Sequence, residues 1–377
     1  MARTNGTVYR DYRKGKPSKK RRFSLSLLLF ILDIIMSGLL LLGAAATIIC
    51  VITPNTDPER LGLFSTIVLG APMVYIVMWF TLLYWVIRWR WSMVVVTAIF
   101  VFIGSLQLGK YYRADFVQKS DAVVKNCTKV ISYNIENSKD TALVNYLAKQ
   151  TPSIICLQEF LSDSKNMWAN LGKKYQSTVK DEIGYSCEIF TTHRILRQGT
   201  IDSLERYNAM WADIIIGERK NADTVRVINL HLKSTTITAK DKQFFEKHEY
   251  VLDSARHTKI MNMADRLSHN NVARAAQVDK VRRFIEKSKP RKMIVCGDFN
   301  DVPLSFCYKQ ISQGFIDTFI KAGSGYRYTF DGFYNMLAID YLFVTDHFDV
   351  ISHQIDHEAK YSDHYPIISR VKIKKNN

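Results

Sequence analysis

The sequence is poor in cysteine and lacks the cysteine spacings that bind zinc. Its six cysteines are Cys50, Cys127, Cys156, Cys187, Cys296 and Cys307. No two of them form a CxxC pair, which argues against a zinc site and gives no sign of a disulfide framework. Cys156 and Cys296 lie in strand-like apolar runs, where buried free thiols are the usual interpretation. We therefore expect neither zinc nor disulfide bonds.

Acidic residues are scarce in the first part of the chain. Residues 1–110 contain 13 Lys and Arg but only 4 Asp and Glu, and thus carry +9 of the total charge of +17. This excess of positive charge near the N-terminus bears on membrane topology rather than on the substrate. The remaining +8 favours an anionic partner such as a phosphate, a lipid headgroup or nucleic acid, although a solvated basic surface explains it equally well.

Three long stretches in this region contain almost no charge: Phe23–Ile52, Leu63–Ile87 and Trp91–Leu108. Each has, or approaches, the ~20 residues that a helix needs to cross ~30 Å of hydrocarbon. The first is too long for a signal peptide and lacks small residues at a plausible cleavage point. The sequence therefore predicts a basic tail (1–22), an anchor of three transmembrane helices (23–110) that binds the lipid bilayer, and a separate domain (111–377).

The flanking cations predict the orientation of this anchor. Residues 1–22 contain nine Lys and Arg, so we expect the N-terminus in the cytoplasm. The loop 53–62 has one Arg and two acidic residues, whereas Arg88 and Arg90 lie in the next loop. Three crossings then place residues 111–377 on the extracytoplasmic side, either periplasmic or at the outer cell face.

One carboxyl interrupts the first apolar stretch. Asp33 is costly to bury in hydrocarbon, and such residues often have a function. The alternative is that Asp33 lies close enough to the cytoplasmic edge to reach Arg22 or water.

Beyond residue 127, short apolar runs repeatedly end in polar or acidic side chains. Four such runs are Lys129–Tyr133, Ser153–Leu157, Val225–Leu230 and Lys292–Cys296. Two further runs contain the polar residues themselves: Ala338–Val344 contains Asp340, and Tyr361–Ile368 contains Asp363 and His364. Helical patterns lie between them at Thr141–Lys149 and Ala273–Lys287. Strands interleaved with helices predict a layered α/β domain in which these polar side chains converge at one rim of a sheet.

Such a rim predicts a metal site. Gathered carboxylates repel one another unless a cation neutralises them, and the hard oxygen ligands of Glu159, Asp298 and Asp363 suit Mg²⁺ or Mn²⁺ rather than zinc. The two histidines among these clusters supply acid–base capacity and donors to charge developing on phosphorus. Two neutral amides, those of Asn134 and Asn300, can hold a phosphate oxygen or a water without adding charge.

Six motifs occur in the order found in the endonuclease/exonuclease/phosphatase superfamily. They are Ser-Tyr-Asn-Ile-Glu (132–136), Cys-Leu-Gln-Glu (156–159), Asn-Leu-His-Leu (229–232), Gly-Asp-Phe-Asn-Asp (297–301), Ile-Asp-Tyr-Leu (339–342) and Ser-Asp-His-Tyr-Pro-Ile (362–367). The sequence resembles DNase I-like members of this superfamily from Asn126 to about Lys374. The resemblance implies a four-layer α/β sandwich, two mixed β-sheets packed face to face with helices outside, and a Mg²⁺- or Mn²⁺-dependent phosphoesterase.

The resemblance also implies which residues bind the metal. Glu159 would be the principal ligand, with support from Asn134, Glu136 and Asp363. Asn134 would also contact the substrate.

The remaining motif residues would carry out the chemistry. Asp298 and Asn300 would position the attacking water and the scissile phosphate. His364 would act as a base or an electrostatic catalyst, oriented by Asp340, and His231 would donate to a phosphoryl oxygen. Either Asp298 or His364 would take the proton of the water.

One charged segment elaborates on the shared pattern. Thr235–Asn271 is interpreted as a substrate-facing cap, a membrane-surface contact or a solvated helical insertion. In the helix that follows, Arg274 and Gln277 share a face at i and i+3, with no assigned task.

The predicted function is a membrane-anchored phosphoesterase acting on a phosphodiester or phosphomonoester of a lipid headgroup, an inositol or sugar phosphate, or nucleic acid. A dedicated nuclease is less favoured, because aromatic residues are not interleaved with a basic stripe. A catalytically inactive scaffold of the same fold is the other alternative, and the complete set of motif residues argues against it. The number of metal ions and the oligomeric state stay open.

Overall fold

A computed structural model describes most of the chain. The described residues are 19–114, 127–161, 168, 171, 174–178, 185–201, 209–217, 222–235, 254–289, 291–332 and 335–374. Most of the predicted basic tail (1–18) and half of the charged segment (236–253) lie outside the described residues.

The N-terminal region is helical. Its elements are α1 (Lys19–Ile52), a 3₁₀ turn (Thr53–Asn55), α2 (Pro58–Leu61), a 3₁₀ helix (Gly62–Gly70), α3 (Ala71–Ile87) and α4 (Trp91–Leu108). Among the described residues, three stretches are long and apolar enough to cross a membrane, namely Leu25–Asn55, Pro58–Ile87 and Trp91–Leu108. Each of the three predicted apolar stretches is therefore helical, and α1 begins four residues before the predicted Phe23.

Asp33 is neutralised by the turn between α3 and α4. Arg88 donates from Nε and Nη2 to its two carboxylate oxygens at 3.0 and 2.9 Å, and the Tyr84 hydroxyl donates at 2.6 Å. Arg90 adds a cation at 3.6 Å. The carboxyl thus joins α1 to the end of α3, which supports a structural interpretation at a helix edge, with Arg88 as the partner.

The rest of the described chain alternates strands and helices. The strands are β1 (Tyr112–Arg113), β2 (Thr128–Asn134), β3 (Ile154–Leu161), β4 (Gln176–Ser177), β5 (Tyr185–Thr191), β6 (Arg194–Thr200), β7 (Ala209–Ile216), β8 (Asp223–His231), β9 (Met293–Asp298), β10 (Ile316–Asp317), β11 (Gly325–Tyr326), β12 (Asp340–Val344), β13 (Phe348–Ile355) and β14 (Ile367–Ile373). The helices are α5 (Thr141–Lys149), α6 (Ser254–Lys287), α7 (Phe306–Ser312) and α8 (Thr318–Ala322).

Two six-stranded mixed sheets face each other. The first has the order β13-β14-β2-β3-β5-β4 and the second β10-β12-β9-β8-β7-β6, with parallel pairing between β2 and β3 and between β8 and β9. Alternate strand residues such as Val130 and Ile294 point between the sheets and form the central core. Ile131 points outward against Leu143 of α5, and Val295 packs against Val278 of α6. The predicted four-layer DNase I-like sandwich is confirmed.

Two details of the sequence interpretation are settled by this architecture. The helix predicted to begin at Ala273 begins at Ser254, so residues 254–271 of the charged segment form its first half. This half is partly covered, because the side chains of Leu267 and Asn271 are buried. None of the six cysteines forms a disulfide bond, and five of them are buried.

The apolar helices and the sandwich share one apolar cluster, which crosses the predicted domain boundary at residue 111. It contains Cys50, Val68, Ala71, Tyr75 and Tyr111 on one side and Val302, Leu304, Phe330, Leu337 and Ile339 on the other. The chain leaving α4 is fixed at the same place, because β1 pairs with β11 and the Arg327 backbone N–H donates to the Tyr111 carbonyl at 2.7 Å. The helices are thus packed directly on the sandwich.

Candidate active site

Three neighbouring strands of the second sheet present polar side chains in register. His231 at the end of β8 pairs with Asp298 at the end of β9, and Asp298 pairs with Asp340 at the start of β12. All three residues are buried. The register explains why positions far apart in sequence meet at one sheet edge.

The first sheet adds Asn134 and Glu159. Asn134 ends β2, and its side-chain N–H₂ donates to Glu159 Oε1 at 3.1 Å and to Asp298 Oδ2 at 3.0 Å, which joins the two sheets. Glu159 lies at an irregularity of β3 between Leu157 and Phe160 and has a φ of +53°. A bulge of this kind redirects a side chain, and such backbone strain is common at functional sites.

Strand β9 requires a glycine at position 297, directly before Asp298. Gly297 has a φ of +134°, and a Cβ added there would lie 1.9 Å from the Leu230 carbonyl oxygen. Only glycine allows β8 and β9 to approach so closely at this point. The close approach holds Asp298 beside the neighbouring His231.

Asp298 is further oriented by Asn300. The Asn300 backbone N–H donates to Asp298 Oδ1 at 2.8 Å, and its side-chain N–H₂ donates to Oδ2 at 3.0 Å. The same amide reaches the Leu232 carbonyl at 3.1 Å. Asn300 has a φ of +52°, which asparagine tolerates better than most residues.

His364 lies between two carboxylates. Its Nδ1 is 2.9 Å from Asp340 Oδ2, and its Nε2 is 3.8 Å from Asp298 Oδ2. Burial disfavours the charged ring, but the negative charges of Asp340, Asp298 and Asp363 outweigh it and raise the pKa of His364 to about 10. Asp340 thus fixes the ring so that Nε2 faces Asp298.

The pKa values of the other two central groups shift in opposite directions. Burial, followed by repulsion from Asp340, raises the pKa of Asp298 to about 7. Burial, followed by the charge of His364, lowers the pKa of His231 to about 3. His231 Nε2 is 3.7 Å from both Glu159 Oε1 and Asp298 Oδ2. A neutral His231 can offer one N–H to an oxygen held between these groups.

A cavity of about 160 Å³ opens at this sheet edge. Its lining residues are Leu69, Glu136, Glu159, Ser234, Thr235, Asp298, Asn300, Phe330, Leu337, Ile339, Asp363 and His364. Six of the nine residues singled out from the sequence line it. The other three, Asn134, His231 and Asp340, lie within 4 Å of lining side chains. The structure therefore brings all nine together.

The donor atoms here fit a hard cation. Glu159 and Asp363 supply carboxylate oxygens to the cavity, Asn134 contacts Glu159, and no thiol is found among the described residues of the lining. Asn137, which the sequence analysis did not single out, donates to Glu159 Oε2 at 3.4 Å. Its buried Oδ1 has no hydrogen-bond partner among the described residues, and a buried oxygen of this kind is a potential ligand for an ion or a water.

A second group of potential ligands fits a metal less well. Asp298, Asp340 and His364 each offer an atom, and these atoms lie within 4.8 Å of one another. However, His364 Nδ1 is occupied by its hydrogen bond to Asp340. This group therefore resembles a carboxylate–imidazole pair rather than a ligand set.

A buried amide pair beneath the cavity was missed by the sequence analysis. Gln158 Nε2 donates to Asn229 Oδ1 at 2.5 Å, and Asn229 Nδ2 donates to the carbonyls of Leu157 and Glu188 at 2.8 and 3.0 Å. The pair ties β3 to β8 across the two sheets, directly before Glu159 in one strand. The sequence does contain a sign of this pair, because each of the two residues is a polar amide directly after apolar residues of its strand.

Arg274 and Gln277 position the segment that follows His231. Arg274 Nη1 donates to the Lys233 carbonyl at 2.8 Å, and Gln277 Oε1 accepts from the Lys233 N–H at 2.8 Å. Ser234 and Thr235, next along the chain, line the cavity. This contact gives the two helical residues the task that the sequence left unassigned.

Several solved structures have a similar fold. Humanized D. rerio TDP2 has a TM-score of 0.46 and 16% identity, over 65% of this chain and 99% of that chain. A mannosyl-6-phosphatase from Bacteroides thetaiotaomicron has a TM-score of 0.46 and 17% identity, over 65% and 99%. The human Nocturnin catalytic domain with bound sulfate has a TM-score of 0.44 and 18% identity, over 66% and 95%.

The search of curated proteins found no match. A family model described as "Endonuclease/Exonuclease/phosphatase family" matches residues 131–364, which is more than half of the chain. The chain therefore belongs to the endonuclease/exonuclease/phosphatase family.

Proposed function

We propose that this protein is a Mg²⁺- or Mn²⁺-dependent phosphoesterase held at a membrane surface by its three apolar helices. The observation that carries the proposal is the arrangement of His364, whose Nδ1 is bound by Asp340 while Nε2 faces Asp298 in the cavity that also contains Glu159. A fixed imidazole beside clustered oxygens is suited to hydrolysis of a phosphate ester.

Glu159, with Asn134 and Asp363, would hold the metal ion, and Glu136 lies at the same cavity to support it. When bound, the ion supplies a Lewis acid for the phosphoryl oxygen and lowers the pKa of a bound water. Asn137, whose amide nitrogen contacts Glu159 and whose buried Oδ1 has no partner among the described residues, supports this assignment.

The other residues would orient the reactants. His231 would offer an N–H group to a phosphoryl oxygen. The N–H groups of Asn300 already bind Asp298 and the Leu232 carbonyl, so Asn300 would act on the substrate by holding Asp298. Two groups face the place from which a water would attack, namely the Asp298 carboxylate and His364 Nε2. Because the pKa of His364 is raised to about 10, its ring carries a proton near neutral pH. Asp298 is therefore favoured as acceptor of the water's proton, and His364 would stabilise the charge that develops on phosphorus.

A substrate panel on the full-length chain in detergent tests this function. We expect hydrolysis of bis(p-nitrophenyl) phosphate or p-nitrophenyl phosphate with Mg²⁺ or Mn²⁺, loss of activity with EDTA, and loss of roughly 10²–10⁴-fold in kcat in His364→Ala. DNA, inositol phosphates and phospholipids complete the panel. Activity that survives both EDTA and His364→Ala would remove the basis of the assignment.

The membrane location is part of the same proposal. The nine Lys and Arg before Phe23 favour a cytoplasmic N-terminus, and three crossings would then put the cavity on the extracytoplasmic side. The contact between the helices and the sandwich supports a catalytic domain that lies directly on the membrane surface.

A further inference from the structure

One wall of the cavity comes from the apolar helices rather than from the sandwich. Leu69 lines the cavity together with Glu159, Asp298 and His364. Leu69 also belongs to the second stretch that is long and apolar enough to cross a membrane, Pro58–Ile87. The candidate catalytic residues and a residue of a candidate membrane span therefore line the same cavity.

The segment that carries Leu69 is firmly attached to the sandwich. Gly62–Gly70 is a 3₁₀ helix, a form rarely maintained over so many residues. Its buried Ser65 accepts a hydrogen bond at 2.8 Å from Asn271, a residue of α6 that also binds Arg274. Irregular backbone at membrane depth is tolerated where it is buried in protein or lines a cavity. Within this segment, Ser65 and Val68 are buried and Leu69 lines the cavity.

The cavity is lined by apolar as well as polar side chains. Leu69, Phe330, Leu337 and Ile339 all line it; the last three belong to the apolar cluster between the helices and the sandwich, and Leu69 packs against that cluster. Outside the cavity, the same 3₁₀ helix exposes 60% of Phe64. The segment that carries Leu69 at the cavity thus also carries an exposed aromatic side chain, within a stretch apolar enough to cross a membrane.

We propose that the substrate is a phosphate ester of a membrane lipid, with Gly62–Gly70 forming part of the substrate site. This inference rests on the proposed phosphoesterase function. The phosphate would lie against Glu159 and His364, while the apolar part of the lipid lies along Leu69 and Phe330 and remains in the bilayer. A water-soluble phosphate ester would leave this wall without an apolar contact and would gain nothing from its burial.

The test compares phospholipids with their deacylated counterparts, which have the same phosphate and no apolar chains. The full chain is assayed with Mg²⁺ in mixed micelles of phosphatidylcholine, phosphatidylglycerol, phosphatidylinositol or phosphatidic acid, and with the matching glycerophospho compounds in solution. We expect kcat/KM for at least one lipid to exceed that for its deacylated form by about tenfold or more, the gain from burying part of one apolar chain.

Variants connect this ratio to Leu69. Leu69→Ser should lower the ratio of the two kcat/KM values by roughly tenfold, because it removes most of an apolar contact. Leu69→Met keeps the apolar surface and should keep the ratio. Leu196→Ser makes the same change at an exposed leucine of β6 and serves as the matched control. Thermal unfolding in detergent identifies variants that have lost the fold.

The outcomes separate the two proposals. Equal kcat/KM for lipid and deacylated compound, or a ratio that does not change in folded Leu69→Ser, overturns the lipid assignment and leaves the phosphoesterase function in place. Failure of the wild-type chain to hydrolyse any phospholipid, deacylated compound or p-nitrophenyl ester overturns both.

Discussion

The carboxylate of Asp340 holds the imidazole of His364 at 2.9 Å across the gap between the two β-sheets. Asp340 begins β12 of one sheet, whereas His364 comes shortly before β14 of the other. The orientation of His364 thus depends on how the sheets pack. This contact is testable because asparagine has the shape of aspartate without its charge.

In Asp340→Asn, we expect kcat to fall by roughly 10–100-fold with little change in KM, as for other residues that orient a functional side chain. The double variant with His364→Ala should be about as slow as His364→Ala alone, because the proposed task of Asp340 in the reaction is to orient His364. Steady-state kinetics on bis(p-nitrophenyl) phosphate measure both effects. Additive losses would mean that Asp340 acts independently.

Glu159→Gln removes one negative charge from the proposed metal site while it preserves the side chain's shape. We expect the Mg²⁺ concentration for half-maximal activity to rise by about tenfold or more, with partial recovery at high Mg²⁺. Activity titrations with Mg²⁺ and Mn²⁺ provide the measurement. Asp349→Asn, at an exposed acid of β13, is the control and should leave the Mg²⁺ dependence unchanged.

Acid should destabilise the sandwich through His353. This histidine is buried against Thr318 and Ser369, near the ion pair of Arg327 with Asp317, and burial followed by Arg327 lowers its pKa to about 3. Between about pH 6.5 and about 3 the unfolded chain therefore binds a proton that the folded chain does not. Stability should fall as the pH falls through this range, by at most about 1.4 kcal/mol per pH unit.

The His353→Gln variant isolates this contribution. It removes the titrating ring, so its unfolding midpoint in detergent should depend less on pH than that of the wild type below about pH 6.5. Parallel pH curves for the two proteins would assign the acid sensitivity to other groups.

Removal of residues 1–110 should leave a poorly soluble domain. Truncation exposes apolar side chains that pack against the helices in the full chain, among them Phe330 and Leu337. We expect residues 111–377 to aggregate in size-exclusion chromatography without detergent, and Phe330→Ser/Leu337→Ser to reduce this aggregation. A truncated domain that is monomeric without detergent would show that the interface contributes little.

Topology is tested by reporter fusions. An alkaline phosphatase fused after Lys374 should be active, because three crossings place it outside the cytoplasm, whereas one fused after Arg90 should be inactive. A fluorescent protein that folds only in the cytoplasm should give the reverse pattern. The opposite result at Lys374 would put the catalytic cavity on the cytoplasmic face.

Much of the fold could be predicted from the sequence, because apolar runs and ordered motifs are local properties. The spans and the α5 helix are recognisable from residue spacing alone. The partner of Asp33 is not, since Arg88 meets it only after α1 and α3 pack together. The role of Asn137 was missed for a related reason, because its proximity to Glu159 arises from two strand ends that meet.

The pairing of β1 with β11 also limits the distance over which the protein can act. Tyr112 and Arg113 pair with Tyr326 and Gly325, and Tyr112 is only four residues after the end of α4 at Leu108. The helices and the sandwich are therefore joined without a flexible linker at this point. If α4 crosses a bilayer, the cavity stays at a fixed height above it. An enzyme mounted in this way works in cis. Its rate follows the surface density of phosphate esters in its own membrane and is insensitive to those carried by a neighbouring vesicle.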